Sequence, residues 1–295
     1  MPKYEIQKIN PMTCVVNVYL DNNDRTFTIF SMPDAHWDNP KCDRELLTKH
    51  LKEAKEKNAI IISGGDFFCL MQGKYDPRRN KSDIRPEHNK ANYLDIVIED
   101  AANYLEPYKE NLIFGTGNHE SSILKSCETN VLERLAGALG NNVVMGYHYW
   151  VIFKVHLNNN HYDTLKGYFN HGYGGGGVIT RGQINMSRQM MHIEGADFIS
   201  NGHIHEKSTT EVMAHYFDSN AMSYKPKARS ILLLQSSTYK QEYIDNGFHI
   251  EKGRPPKPLG GIFMDVHLVR INGNKFDLEK EVKFRSTQTF DICNK

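Results

Sequence analysis

The sequence predicts an α/β fold whose second half is richer in sheet than its first. Short apolar strands in the first half stop at a polar tip and give way to a helical period, and breakers fall where those elements should end. Beyond residue 140, the apolar runs have the composition and length of strands rather than helical spacing.

Near the start, MTCVVNVYL and RTFTIFSM are rich in β-branched and aromatic residues, and the DNND between them is turn material, so the pair reads as a hairpin. DRELLTKHLKEAKEKN then spaces Leu47, Leu51 and Ala54 at i, i+4 and i+7, one buried helical stripe. NAIIISGGD is a short apolar strand ending at Asp66. ANYLDIVIEDAANYLEPY sets Leu94, Val97, Ala101 and Leu105 on one helical face and stops at Pro107, and NLIFGTGNHE follows as a buried strand. A helix from about Ser121 to Leu139 closes at Gly140. VVMGYHYWVIFKVHL, HYDTLKGYFNHG, ADFISNGHIHE, STTEVMAHYF and RSILLLQSS read mainly as strands. So does GIFMDVHLVRINGNKFDLEKEVKF, as two strands joined across Asn272, Gly273 and Asn274. Residues 72–92 show neither period and read as a long polar loop, a length that in compact domains is often functional. The methionines of INMSRQMMHI and the aromatics of GYHYWVIF are assigned to packing.

With 39% hydrophobic and 24% charged residues, the 295-residue chain is expected to fold as a single domain over 1–295, ordered almost throughout. A net charge of +1 favours neither nucleic acid nor an anionic membrane over the whole surface, so any attraction for phosphate must be local. The five cysteines are scattered and form no Cys-x-x-Cys pair, which fits free thiols rather than a disulfide framework or a zinc ribbon. No signal-peptide core and no apolar run of bilayer length is present, so a soluble, cytoplasmic protein without a membrane partner is expected.

Apolar strands end in tips that could bind metal: Asp34-Ala35-His36, Gly65-Asp66, Gly117-Asn118-His119-Glu120, His171-Gly172 and Gly202-His203-Ile204-His205. Ligands collect at the carboxyl ends of buried strands, where rigid backbone holds side chains toward a crevice. Two adjacent divalent cations need hard oxygen donors, a carboxylate able to bridge them and neutral imidazoles to complete each shell. Two aspartates, one asparagine and four histidines supply that set. Singly, each is weak evidence, because an aspartate after a strand is often a helix cap and a lone histidine is usually a bystander.

In this order the five motifs resemble the calcineurin-like metallophosphoesterases, over roughly residues 26–206. The resemblance implies a four-layer α/β sandwich, two packed β-sheets flanked by helices. It implies one metal held by Asp34, His36, Asp66 and His205, and a second by Asp66, Asn118, His171 and His203, with Asp66 bridging. The cofactor would be two divalent ions, Mn²⁺ first, with Fe or Zn as alternatives. Hydroxide bridging them would attack phosphorus. His119 would not bind metal but would protonate the leaving oxygen as general acid, its ring oriented by Glu120.

For substrate, the motif at Asp34 resembles the phosphodiesterases and nucleases of that family more than its purple acid phosphatases. Phe67 and Phe68 after Asp66 depart from its protein phosphatases. The run Gly202-His203-Ile204-His205 resembles the nuclease subunit of SbcD type, although Glu120 stands where that group has aspartate. Phosphodiesters such as nucleic acid are therefore the expected partners. A phosphomonoesterase, a cyclic-nucleotide phosphodiesterase and a non-catalytic scaffold remain as alternatives. Arg78 and Arg79 in the polar loop, and Arg181 after the glycines at 174–177, are candidate phosphate contacts.

Overall fold

A computed structural model describes residues 1–70, 83–141, 143–158, 160–217, 226–244, 248–272 and 275–285. Strict alternation opens the chain. Lys3–Asn10 (β1) and Thr13–Leu20 (β2) pair as an antiparallel hairpin, and β2 turns Cys14, Val16, Val18 and Leu20 inward while the residues between stay half-buried. Thr26–Ser31 (β3) does not pair with β2, contrary to the hairpin expected from DNND. The turn does form, with Asp21 accepting from the amides of Asn23 and Asp24. It carries the chain from one sheet to another, so Val16 and Val18 face Phe27 and Ile29 across a core instead of lying beside them.

Arg44–Glu56 (α1) starts where the Asp43 carboxylate accepts from the Leu46 amide, and it buries Leu47, Leu51 and Ala54 as their spacing predicts. It is the crossover that makes Ile60–Gly64 (β4) parallel to β3. Tyr93–Leu105 (α2) repeats the device before Leu112–Gly115 (β5), parallel to β4. The expected helix at 121–139 is two helices, Asn118–Cys127 (α3) and Val131–Ala138 (α4). Glu128 takes the left-handed conformation between them, and Asn130 caps the second by accepting from Glu133.

His148–Leu157 (β6), Asn160–Asn170 (β7), Gln183–Gln189 (α5), Phe198–Asn201 (β8), Ser208–Phe217 (β9) and Pro226–Gln235 (β10) follow. Phe248–Glu251 (α6), Ile262–Asn272 (β11) and Lys275–Phe284 (β12) complete the described elements. The strand orders are β1-β2-β6-β7-β8-β10-β9 in one sheet and β12-β11-β3-β4-β5 in the other. Neighbouring residues of the second sheet face opposite ways. Phe27, Ile29, Ile60, Ile62 and Ile113 meet Val16, Val18, Val151 and Phe153 of the first sheet. Phe30, Ile61 and Phe114 pack under α1, α2 and α4 through Leu47, Leu51, Val97, Ala101 and Leu135. On the far side Met186 of α5 covers Tyr168, Ile199 and Leu233. Helices, sheet, sheet and helix thus form four layers, and each buried aliphatic side chain contributes roughly 1.5–3 kcal/mol. The packing reading holds for Met186 but not for Met191, which is 86% exposed.

His50 on α1 is buried, with Nδ1 2.8 Å from the Tyr239 hydroxyl and its ring edge-on to Phe30 and Phe263. Burial lowers its pKa from 6.5 to about 4. The folded state therefore holds the neutral ring, while the unfolded chain takes a proton near 6.5. Stability is full above that pH and is lost as pH falls toward 4. We expect His50→Gln to show a smaller drop in Tm than wild type between pH about 7 and about 5; equal drops in both proteins would contradict this.

Candidate metal centre

Because β3, β4 and β5 are parallel, their carboxyl ends open on one edge, and the ends of the parallel strands β7, β8 and β10 open beside them. The loops leaving β3 and β4 run together. The amides of Asp34 and His36 donate to the carbonyls of Gly65 and Asp66 at 2.9 and 3.0 Å. Loops from the other sheet lock onto them. The His203 amide donates to Asp34 Oδ2 at 2.7 Å, and the Asp34 carbonyl accepts from the Tyr239 amide and the Thr238 hydroxyl.

Five of the seven predicted ligand residues sit in left-handed backbone: Asp34, His36, Asp66, His203 and His205, at φ of 54°, 46°, 50°, 70° and 56°. Such conformations cost on the order of 1–3 kcal/mol each for residues with side chains, and they concentrate at functional sites. Close approach of two loops demands glycine as well. A Cβ at Gly117 would overlap Asp66 Oδ1 and its amide, and one at Gly202 would overlap Asp34 Oδ2.

Two donor groups result. In one, Asp34, His36 and His205 each offer a ligand atom within 4.8 Å of the others; Asp66, His171 and His203 do the same in the second. Asn118 joins the second group, its Oδ1 lying 3.0 Å from His171 Nε2 and 2.8 Å from His203 Nδ1. Asp66 Oδ2 lies 3.2 Å from His171 Nε2. All seven predicted ligand residues are therefore brought to one crevice, from segments up to 171 positions apart (34 to 205).

Both ring nitrogens of His36 are buried with no hydrogen-bond partner among the described residues, a costly arrangement unless an ion completes it, and Asp34 Oδ1 beside them faces His205 Nε2 at 3.3 Å. The charges point the same way. Burial lowers the pKa of His171, but Asp66 outweighs it and raises the group to about 10. Burial likewise opposes His205, yet Asp34 and Glu242 raise it to about 9. Without an ion these imidazoles hold protons beside the carboxylates, and a divalent cation bound there would displace them. Burial holds His36 well below 6.5, with His119 adding to it, so that ring presents a lone pair without giving up a proton.

Ring orientations are fixed from outside. A carbonyl oxygen only accepts, so His171 Nδ1 donates to Gly64 at 3.2 Å and its Nε2 faces the crevice. By the same logic His119 Nδ1 donates to the Cys69 carbonyl at 2.5 Å, and its Nε2 lies 3.8 Å from Asp66 Oδ2. Glu120 does not have the role expected of it. Its carboxylate accepts from the backbone amides of Asp66, Phe68 and Gly117 at 2.9–3.0 Å, and the Cys69 carbonyl orients the His119 ring instead. Burial and Asp66 push Glu120 up to about 8, against the pull of those amide donors.

Sequence reading missed Glu242, beyond β10. Its Oε2 lies 3.5 Å from His205 Nδ1 and 3.2 Å from His249 Nε2, while Oε1 pairs with Lys240 at 2.9 Å. A carboxylate behind a ligating imidazole sets its tautomer and raises its basicity. No local pattern marks this residue; only tertiary contact reveals it. We expect Glu242→Gln to weaken Mn²⁺ binding about 10–100-fold by calorimetric titration; unchanged affinity would remove Glu242 from the site.

Of the candidate phosphate contacts, Arg78 and Arg79 lie outside the described residues, as does most of the loop at 72–92. Arg181 is exposed, and Gly182 next to it packs on Ile204, between His203 and His205. No helix among the described residues is long and apolar enough to cross a membrane.

No family model and no curated protein matches the sequence. Among solved structures, Vps29 of Chaetomium thermophilum is similar at 8% identity and a TM-score of 0.37, with 88% of this chain and 97% of that one covered. GAP50, described as the anchor in the inner membrane complex of Plasmodium, is similar at 10% identity and a TM-score of 0.42, with 92% of each chain covered. Both likenesses are distant and carry nothing about activity.

Proposed function

We propose that the chain is a two-metal phosphoester hydrolase of the calcineurin-like metallophosphoesterase kind, acting as one domain on phosphodiesters, nucleic acid among them. The observation that carries the reading is the pair of buried donor groups in one crevice, Asp34–His36–His205 and Asp66–His171–His203, with Asn118 bonded to two imidazoles of the second. Two divalent cations bound there, manganese first among them, would supply Lewis acidity and a nucleophilic water near neutral pH. Asp66 would reach both. The chain's own contribution is orientation and proton transfer. His119, with Nδ1 tied to the Cys69 carbonyl, offers Nε2 to the leaving oxygen. Arg181, next in the chain to the Gly182 that packs on Ile204, would contact a flanking phosphate. Free cysteines at 14, 42, 69 and 127 suit the reducing cytoplasm.

Phosphodiesters stand ahead of monoesters because Asp34-Ala35-His36 resembles the phosphodiesterases and nucleases of that family. The run Gly202-His203-Ile204-His205 gives SbcD-type nucleases first place in a substrate panel. The deciding assay is hydrolysis of bis-p-nitrophenyl phosphate by purified protein with Mn²⁺, then of single-stranded DNA, duplex DNA, RNA, cyclic nucleotides and phosphomonoesters. Turnover that stops on chelation and returns with Mn²⁺ is the expected result. A folded, Mn²⁺-binding protein that cleaves none of these would be a scaffold, and the catalytic reading would end.

A further inference from the structure

We propose that Cys69, His36 and His119 form a second kind of metal site, selective for a thiophilic divalent cation of the Zn²⁺ or Cd²⁺ class, whose occupation silences the hydrolytic centre. The silencing rests on the function proposed above; the binding does not. One ligand atom from each of the three residues lies within 4.8 Å of the other two. Cys69 is the only cysteine in any such group among the described residues.

The thiol is held in place. The Cys69 amide donates to Asp38 Oδ1 at 2.5 Å, its carbonyl accepts from His119, and Asn39 Nδ2 donates to Sγ at 3.2 Å. That last contact works against burial, which pushes the thiol up to about 12. His36, shared with the Asp34 group, adds a sign of a missing ligand on this side as well, being 2% exposed with neither ring nitrogen hydrogen-bonded among the described residues. His119 is the third member, its ring held at Nδ1 by the Cys69 carbonyl and its Nε2 3.8 Å from Asp66 Oδ2.

One sulfur and two imidazole nitrogens make a soft set, unlike the carboxylate-bearing groups next to it. Such a set suits Zn²⁺ or Cd²⁺, with water in a fourth position, and is poor for Mn²⁺ or Mg²⁺. On binding, the Cys69 thiol gives its proton to solvent and the thiolate takes the cation. Two consequences follow for the neighbouring centre. His119 Nε2 is no longer able to carry a proton to a leaving group, and His36 is drawn from Asp34 and His205.

The test is a Cd²⁺ titration of wild type, Cys69→Ser and Cys69→Ala. Wild type should show a thiolate-to-cadmium ultraviolet band that saturates at one ion per chain, and both variants should lack it. In Mn²⁺-supported hydrolysis, the Cd²⁺ concentration for half-inhibition should rise about 10-fold or more in both variants, each measured against its own uninhibited rate. Absence of the band in wild type, its persistence in either variant, or equal inhibition in all three would overturn the proposal. If the protein hydrolyses no phosphoester, the band alone still decides binding, so the two readings fail separately.

Discussion

His119→Ala is expected to lower kcat on an alkyl phosphodiester about 10²–10⁴-fold while leaving bound Mn²⁺ unchanged. His119 stands outside both proposed ligand groups of the hydrolytic centre, and its contact to Asp66 Oδ1 comes from the backbone amide, which alanine keeps. What alanine removes is the ring whose Nε2 faces the crevice. A general acid matters most for a poor leaving group, so the loss should be smaller for bis-p-nitrophenyl phosphate, whose phenolate leaves readily. Elemental analysis reads the metal content. Loss of both ions would make His119 a structural or ligating residue, and an equal loss of rate on both substrates would take the proton-donor role from it.

Glu120→Ala is expected to destabilise the fold by about 3 kcal/mol or more. Three buried amides, of Asp66, Phe68 and Gly117, would lose their acceptor at once, and each buried donor left unsatisfied costs about 1–3 kcal/mol. These amides shape the loop that presents Asp66, so Mn²⁺ affinity should fall along with stability. Glu120→Gln keeps one acceptor oxygen and should lie between. Urea denaturation with an unchanged m-value reads the stability. A change below about 1 kcal/mol in Glu120→Ala would show that the loop holds its form without this carboxylate.

The legible part of the fold was the part encoded locally. Leu47, Leu51 and Ala54 on α1 are buried as their spacing requires, and β4 and β5, ending at Gly64 and Gly115, stop just before the polar tips. Sheet membership was not local. Composition marks β2 and β3 as strands, but whether the turn at 21–24 folds them together or sends them to facing sheets is decided by which apolar faces must meet, Val16 and Val18 against Phe27 and Ile29. The break at Glu128 was hidden too, because the stretch keeps a helical pattern on both sides of it. Within the site, the seven candidate ligands were readable as motifs because each needs a tight strand-to-loop turn, with glycine at 65, 117 and 202 allowing the approach. Glu242 and the Cys69 carbonyl leave no such trace. One is a loop carboxylate like many others and the second is main chain, and only the meeting of distant loops gives them work.

Anomalous diffraction at the manganese edge, from crystals grown with Mn²⁺, is the most direct measure of the centre. Two peaks are predicted, one among Asp34, His36 and His205, the other among Asp66, Asn118, His171 and His203, with the Asp66 carboxylate between them. A single peak, or density away from these side chains, would contradict the two-metal account.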